Sequence, residues 1–461
     1  MRQASQHSKA GDYNTSPRPT MASGATHLLA LTSLITASVQ EIISAYPNIP
    51  HPDSTSLGIY DDPESIPPEL SKAIQRVEAA CTQLSCAVAS SGHVIVNKAL
   101  AHAEPASLLV VTQARIADYL LDKHDGLHVS ELARLSGLNE SKLGRILRLL
   151  VTSHVFREVK PNVFSNNRLS MKLLSSDPVS DIVCLLTDES LTASTYLNES
   201  MTAQEGSKIP FERATGLPFF EYHKTPEGKA KGDRFPRAMV GWGNVTGKGL
   251  LATVYPWEQQ PADTTICDIA GGNGHVTMAL MKAHPHLKVV LQDQEQVIVM
   301  GKQFWNQEYS DAVERGRVQF VPFNFFQDAA VKGCDFYYIR SILRDWPDEQ
   351  SLLILSNVRK AMKPSSRLII HDTVLRQAVR TTSSSPGQKD ATFQDIAPEP
   401  LLPNYGAARI RTYELDMIMM NLLGSAARTL DEFLSLCGTC GLRFEKLYEA
   451  GETDLIEFSP V

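Results

Sequence analysis

Two aspartates and three glycines form the part of the sequence whose residue types best suit binding of a small ligand. Asp268 precedes Gly271, Gly272 and Gly274, and Asp293 follows the turn by roughly 20 residues. Glycine lacks a Cβ, so the backbone can turn sharply and approach a ligand closely. An acidic side chain at the position of Asp293 can hold ribose hydroxyls. Asp268 could reach the ligand or brace the loop.

The elements around these residues follow the order strand, turn, helix, strand. Thr265–Ile269 is a short apolar run, a helical pattern follows the glycines, and residues 287–291 form a second apolar run. Such a unit of about thirty residues is typical of half a nucleotide-binding parallel sheet. An ordinary tight turn is the alternative. The spacing differs from the dinucleotide motif and no Walker lysine follows, so a nucleoside triphosphate is not expected.

Length and charge restrict the class of protein. The chain has 461 residues and a formal net charge of -7, which predicts two or three domains and disfavours nonspecific binding to nucleic acid or an anionic membrane. No apolar run in the sequence reaches membrane-spanning length, and residues 28–39 are interpreted as an amphipathic helix behind a polar leader. A cytoplasmic protein is therefore expected.

The cysteines indicate a reducing compartment and no metal site. There are seven, an odd number without disulfide-rich spacing. Cys437 and Cys440 form a CxxC pair, but zinc needs a second pair of ligands, and none lies at a suitable spacing. We interpret the pair as small buried residues at a helix end.

Four regions are predicted along the chain. Their bounds are 1–25 for a disordered polar leader, in which Met21 is an alternative start, 26–180 for a helical and winged-helix domain, 181–254 for a helical connector, and 255–461 for the ligand-binding domain. The winged-helix pattern consists of helices near 114–122, 129–136 and 139–152, followed by a small hairpin up to residue 165. The third helix is largely apolar, so DNA readout is not expected.

At this point the chain resembles the SAM-dependent small-molecule O-methyltransferases, over roughly residue 26 to the C-terminus. The resemblance rests on the glycine loop, the winged helix, the Met-rich helix and the closing hairpin around residues 450 and 451. It implies an α/β fold with a Rossmann-like sheet, an N-terminal helical dimerisation domain and an intertwined homodimer. It further implies S-adenosyl-L-methionine (SAM) as cofactor, held by Asp268, Gly271, Gly272, Gly274, Asp293, Asn324, Phe325 and Arg340. Asn324 departs from the Asp that is usual there.

The resemblance also places an acceptor pocket. Residues 217–242 resemble the helix of the family that carries an FxxAM motif. The implied pocket residues are Phe235, Met239, Trp242, Met417, Met420 and Asn421. The alternative is that the first three are core residues at helical spacing.

Arg344 stands where the family has its catalytic His, in the sequence ILRDWPDE. The family His removes the acceptor proton, whereas a guanidinium has no acceptor lone pair and a pKa above about 12. Asp345 and Asp372 match the family pattern, but Ala427 replaces an expected Glu. Two replacements in one small site suggest that the site was remade.

This departure resembles the pericyclases of fungal pyridone biosynthesis, including the leporin type. The resemblance implies dehydration of an alcohol to a quinone methide, then a Diels–Alder, hetero-Diels–Alder or Alder-ene closure of a polyketide-derived small molecule. SAM would act through its charge without being consumed. Arg344 would polarise a carbonyl, and Asp345 would orient it or assist the dehydration.

Three alternatives stay open. The protein could be an O-methyltransferase that uses another base, such as His371, or only proximity to an acidic phenol. It could be a non-catalytic SAM-binding regulator built on the winged helix. Arg344 could instead form only a structural ion pair with Asp345 or Asp372.

Overall fold

The computed structural model describes residues 23–58, 61, 66–201, 208–247, 249–380, 393 and 395–461. The predicted leader at 1–25, with Met21, lies outside the described residues except for its last three positions. Part of the loop between Arg376 and Asn404 also lies outside them.

Twenty α-helices occur in the described residues. They are α1 (Gly24–Ala45), α2 (Pro68–Val88), α3 (Ser91–Leu100), α4 (Ala103–Gln113), α5 (Ile116–Tyr119), α6 (Val129–Ser136), α7 (Glu140–Thr152), α8 (Val179–Cys184), α9 (Leu191–Ser194), α10 (Leu197–Ser200), α11 (Pro210–Thr215), α12 (Phe219–Tyr222), α13 (Lys229–Thr246), α14 (Leu250–Val254), α15 (His275–Ala283), α16 (Glu295–Glu308), α17 (Ser310–Glu314), α18 (Asp348–Arg359), α19 (Ile410–Leu423) and α20 (Leu430–Thr439). A π-helical turn, Leu185–Ser190, joins α8 to α9.

Twelve strands in the same described part of the chain form three sheets. They are β1 (Leu127–His128), β2 (Arg157–Lys160), β3 (Val163–Ser165), β4 (Thr265–Ile269), β5 (Lys288–Asp293), β6 (Val318–Pro322), β7 (Phe336–Arg340), β8 (Arg367–Asp372), β9 (Val374–Leu375), β10 (Arg428–Thr429), β11 (Leu442–Ala450) and β12 (Thr453–Pro460). The main sheet has seven strands in the order β11-β12-β8-β7-β4-β5-β6.

The main sheet confirms the predicted α/β fold. Strands β4 to β8 run parallel, whereas β12 pairs antiparallel with both β8 and β11. Four of the five residues in β4 are buried, as expected for a parallel strand that helices cover on both faces. The carboxyl ends of β4, β5, β7 and β8 therefore meet along one edge, where open α/β sheets bind ligands.

Helix α16 holds the glycine loop against this edge. Trp305 is fully buried and its indole Nε1 donates a hydrogen bond to the Asn273 carbonyl at 2.9 Å. Gly274 has a φ of +76°, and a Cβ there would lie 2.6 Å from the same indole nitrogen. Glycine is required at this position for both reasons.

The N-terminal part is the predicted helical and winged-helix unit. Helices α6 and α7 lie between the first and second strands of a small sheet, whose spatial order is β1-β3-β2. The apolar face of α7, which carries Leu143, Leu147 and Leu150, is buried. The predicted helix at 114–122 is shorter than expected, because Arg115 adopts a left-handed backbone with a φ of 54°. The chain therefore forms α4, a break and then α5.

Helix α3 was missed by the sequence analysis, and none of its residues is buried. Two segments, Gly24–Ala45 and Ser91–Gln113, are long and apolar enough to cross a membrane, by length and composition alone, and each is only 11% buried. This finding differs from the expectation that no apolar run would reach such a length. An apolar helix that its own chain leaves exposed also suits an interface between subunits.

We expect Gly241→Ala to destabilise the fold. Helix α13 crosses α8 at Gly241, where a Cβ would lie 2.2 Å from the Pro178 carbonyl oxygen. Separation of the two helices should lower the free energy of unfolding by about 1–3 kcal/mol, measured by denaturant titration. Gly438→Ala in α20 is the control, since a Cβ there meets nothing within 4 Å. Equal stability of the two variants would contradict the proposed close contact.

Candidate active site

The glycine loop forms a tight cradle at the carboxyl end of β4. A Cβ on Gly271 would lie 2.4 Å from the carboxyl group of Asp268 and 2.6 Å from Leu291. The Gly272 amide donates to Asp293 Oδ2 at 2.8 Å. Asp268 accepts a hydrogen bond from the Thr277 hydroxyl at 2.7 Å and is buried, so it braces the loop.

Burial changes the ionisation of both aspartates in the cradle. It raises the pKa of Asp268 to about 7, against the hydrogen bond from Thr277. Burial also raises the pKa of Asp293, against hydrogen bonds from the Gly272 and Gln294 amides. Asp293 is only half-buried and lies at the end of β5. Of the two carboxylates, Asp293 is the one that a ligand could reach.

Arg340 gives the cradle a positive charge. It ends β7, and its Nε is buried without a hydrogen-bond partner in the described part of the chain. Burial lowers its pKa, and Arg344 adds to this effect. An orphaned buried donor is costly unless a ligand completes it. A carboxylate, such as the one on the methionine part of SAM, fits this need.

The predicted cofactor residues Asn324 and Phe325 lie in the loop after β6. Asn324 is exposed, and its side-chain oxygen accepts a hydrogen bond from the Phe326 amide at 3.1 Å. Phe325 and Phe326 form an aromatic cluster with Trp346, with ring centroids 6.0 and 4.8 Å from the indole. This cluster offers an apolar surface for a nucleobase. The Asn324 side chain therefore forms a hydrogen bond within its own loop.

The structure brings Arg344, Asp345 and Asp372 together beside the cradle. Arg344 is buried, and its Nη1 lies 3.5 Å from Asp372 Oδ1. Its Nε lies 4.0 Å from Asp345 Oδ1 and has no hydrogen-bond partner among the described residues. The guanidinium thus stands between two carboxylates while keeping a donor free.

The two carboxylates differ in access to solvent. Asp372 is 1% exposed and accepts the Thr373 amide at 2.8 Å, whereas the Asp345 side chain is 27% exposed. Burial raises the pKa of Asp372, although Arg344 opposes this effect. Burial raises the pKa of Asp345 to about 7, with Arg344 again opposing. Asp345 can therefore exchange a proton near neutral pH.

Arg428 fixes the turn that carries this group. Its side chain is buried and donates to the carbonyl oxygens of Leu343 at 2.6 Å and Trp346 at 2.9 Å. It also donates to Asp348 at 2.7 Å. Next to it, Ala427 is buried, and its amide donates to Asp416 at 2.9 Å. The Glu expected at position 427 is therefore replaced by a buried alanine, which carries no charge.

The predicted pocket residues lie on two helices, α13 and α19. Phe235, Met239 and Trp242 are partly buried against the same apolar cluster as Ile418 and Leu422 of α19. Asn421 is buried and donates to the Ser194 hydroxyl at 3.1 Å, while its Oδ1 has no partner in the described residues. Met420 is partly buried and Met417 is 42% exposed.

His371 cannot act as the alternative base. It is fully buried within β8, and its two ring nitrogens lie 2.7 Å from the Tyr338 hydroxyl and 2.8 Å from the Thr453 hydroxyl. Burial and the nearby arginines hold its pKa well below the usual range. The expectation that His371 could substitute for the lost base is wrong on physical grounds. Its neighbours occupy both nitrogens.

Sequence analysis missed a second charged group, formed by Glu189, His223 and Arg234. His223 Nε2 and Arg234 Nη2 lie 2.8 and 2.5 Å from the carboxylate oxygens of Glu189. A Glu soon after the apolar run of residues 182–186 was the available signal. A separate cleft of about 1590 Å³, between α2, the end of α13 and β11, contains none of the predicted site residues.

Comparison with known proteins identifies the family. An O-methyltransferase domain model matches residues 195–394, and an O-methyltransferase dimerisation domain model matches residues 97–176. A relative from Phanerochaete chrysosporium, named 3-O-methyltransferase 2, is 46% identical over 97% of this chain and 99% of its own length. The chain belongs to the O-methyltransferase family. Its cofactor is SAM, and the dimerisation domain supports the predicted homodimer.

Solved structures support the fold of this O-methyltransferase-family protein. The mitomycin 7-O-methyltransferase MmcR is 25% identical, with a TM-score of 0.64 over 80% of this chain and 98% of its own. LepI in complex with SAM has a TM-score of 0.69 over 95% of this chain and 100% of its own, at 18% identity. The second likeness shows the fold alone. The comparisons therefore support the O-methyltransferase alternative and give no support to the pericyclase prediction.

We expect Gly271→Ala to weaken SAM binding at least tenfold, because the added Cβ must displace Asp268 or the loop. Isothermal titration with SAM measures the effect. Gly438→Ala, far from the cradle, should bind SAM as the natural protein does. Unchanged affinity in Gly271→Ala would show that SAM does not use this loop.

Proposed function

We propose that this protein transfers the methyl group of SAM to a phenolic hydroxyl of an aromatic small molecule. The family membership supports methyl transfer to oxygen. The single observation that supports a phenol is the group formed by Arg344 and Asp345, a fixed cation beside a carboxyl group with a pKa of about 7. An alcohol of high pKa would need a stronger base.

The residues of the cradle suit the SAM molecule. Asp293 would hold the ribose, Arg340 the carboxylate, and the cluster of Phe325 and Trp346 the adenine. When bound, SAM supplies an electrophilic methyl group. The remaining chemistry, removal of the acceptor proton and placement of its oxygen, belongs to the side chains of this chain.

Asp345 is our proposed general base. Its ionised carboxylate would accept the proton of the acceptor hydroxyl while the oxygen forms its bond to the methyl carbon. The bond between that carbon and the sulfonium sulfur would break at the same time, and S-adenosylhomocysteine would leave with the electron pair. The partly exposed side chain would then release that proton to solvent, because it is 27% exposed. Asp372 is less suited, since it is 1% exposed and already paired with Arg344.

Arg344 is our proposed anchor for the developing phenolate. A phenol has a pKa near about 10, and a guanidinium within hydrogen-bond reach stabilises the oxyanion and lowers that value. The free Nε of Arg344 is the available donor. Arg344 thus contributes a positive charge where the family usually has an imidazole, and Asp345 supplies the proton acceptor that a guanidinium cannot be.

The pericyclase function is a second candidate, favoured only by the replacement of the catalytic His with Arg344. A buried cation with a free donor would equally polarise a carbonyl and promote a cyclisation. In that case SAM would not be consumed. The two functions can be distinguished with SAM that carries a radioactive methyl group. Only the methyltransferase would move the label from SAM to the acceptor molecule.

We expect Asp345→Asn to reduce methyl transfer from labelled SAM to a phenol by about 10²- to 10⁴-fold, because the amide cannot accept the proton. In the natural protein kcat/KM should rise with pH up to about 7 and then level off, since the ionised form of Asp345 is the active one. The variant should lack this rise. Glu349→Gln, at an exposed site in the first turn of α18, is the control. An unchanged pH profile would exclude Asp345 as the base.

Arg344→His separates the two candidate functions. Under methyl transfer the imidazole can act as a base, so the rate should stay within about tenfold of the natural one. Under the pericyclase function the same change should impair cyclisation while SAM binding stays nearly intact. Absence of methyl transfer to any phenol, together with cyclisation of a pyridone alcohol, would reject the proposed methyltransferase function.

A further inference from the structure

Glu189 is a buried carboxylate that the proposed chemistry does not use. Its side chain is only 1% exposed, and it lies in the π-helical turn Leu185–Ser190. Its two oxygens pair with different residues, one with His223 Nε2 at 2.8 Å and the other with Arg234 Nη2 at 2.5 Å. Burying a carboxylate is unfavourable unless it is paired and hydrogen-bonded, and both partners here come from other elements. π-Helical turns often occur at functional sites.

The imidazole that Glu189 holds lies beside the predicted acceptor pocket. The ring centroid of His223 is 4.3 Å from that of Phe219 and 5.8 Å from that of Phe235. Phe235 is the first of the pocket residues on α13 and packs against the cluster that includes Leu422 of α19. Helix α19 contacts both the π-helical turn and the turn that carries Arg344. The turns that carry Glu189 and Arg344 therefore both contact the helix that carries predicted pocket residues.

The carboxylate fixes the tautomer of His223. Because an ionised Glu189 can only accept, Nε2 of the neutral ring must carry the hydrogen, and Nδ1 is left with a lone pair. Within the described residues Nδ1 forms no hydrogen bond, and the side chain remains 8% exposed. The ring thus presents one hydrogen-bond acceptor that the fold itself leaves unused.

Arg234 presents the complementary group. Its Nη2 is paired with Glu189, but its Nε is buried without a hydrogen-bond partner in the described part of the chain. The charges of Glu189 and Arg234 cancel, so this group does not select a charged ligand. A hydroxyl has the chemistry that both unused atoms need, since it can donate as Nδ1 requires and accept as Nε requires.

We propose that Glu189, His223 and Arg234 form a recognition subsite for a second hydroxyl of the acceptor, distinct from the one that is methylated. This inference rests on the proposed function and narrows the substrate class to polyhydroxylated aromatic molecules. His223 touches the substrate, whereas Glu189 is a positioning residue that acts through the imidazole. A buried polar site of this kind rejects analogues that lack the matching hydroxyl, because its own groups are then left unpaired.

The test compares 2,6-dihydroxynaphthalene with 2-naphthol, which lacks the second hydroxyl. In the natural protein the first compound should have the larger kcat/KM for methyl transfer. His223→Phe should lower kcat/KM for the dihydroxy compound about ten- to hundredfold and leave that for 2-naphthol within about threefold. His223→Asn keeps a short side-chain oxygen acceptor and should restore part of the preference.

Arg237→Gln is the matched control. Arg237 lies on α13, as Arg234 does, and pairs with Asp181, but its side chain is 46% exposed. This variant should therefore keep the natural preference. Loss of activity to the same extent for both naphthols in His223→Phe and His223→Asn would show a structural role and overturn the subsite. An unchanged preference in both variants would overturn it as well.

Calorimetry separates failure of this inference from failure of the proposed function. The affinity of both naphthols for the protein with S-adenosylhomocysteine does not depend on methyl transfer. If neither compound is methylated but the natural protein binds the dihydroxy compound more tightly and His223→Phe does not, the subsite stands and the methyltransferase proposal fails. If the natural protein methylates phenols but binds both compounds equally, the subsite fails alone.

Discussion

The site depends on one electrostatic arrangement, a buried guanidinium between two carboxylates at the edge of a parallel sheet. Arg344 lies 3.5 Å from Asp372 and 4.0 Å from Asp345. Removal of three charges from water is unfavourable unless each is compensated. The fold provides this compensation unevenly, since Asp372 is fully enclosed and Asp345 remains partly open to solvent. Because of that difference, one carboxylate can hold the cation while the other can exchange a proton.

A second arginine makes this arrangement possible. Arg428 follows helix α19 along the chain and donates to backbone carbonyl oxygens on both sides of the turn that carries Arg344. The segment that follows α19 is therefore linked to the turn that carries Arg344 through the buried Arg428 side chain. A change in the position of α19 would move Arg344 relative to the cradle. The helix with the predicted pocket residues and the turn with Arg344 are thus held in one supporting structure.

The tight geometry of the glycine loop was predictable from the sequence, whereas the surroundings of Asn324 and His371 were not. A positive φ, as at Gly274, favours glycine whatever surrounds it. Glycines in a turn after a strand, followed by an aspartate at the end of the next strand, are therefore visible in the sequence. Asn324 was predicted to bind the cofactor, but its side-chain oxygen accepts a hydrogen bond from the Phe326 amide in the same loop. His371 was one candidate for another base, but the neighbouring strands β7 and β12 place the hydroxyls of Tyr338 and Thr453 against its two ring nitrogens.

The sequence by itself determined the α/β fold, the family, SAM as the cofactor and the loss of the usual imidazole at position 344. These follow from short segments whose spacing reflects local geometry. Only the tertiary structure decided that Glu189 meets His223, and only it showed how Arg344 lies between Asp345 and Asp372, a pairing that the sequence had left as an alternative. The physical reason is that burial and charge pairing depend on all elements that pack around a residue, and no local pattern records them.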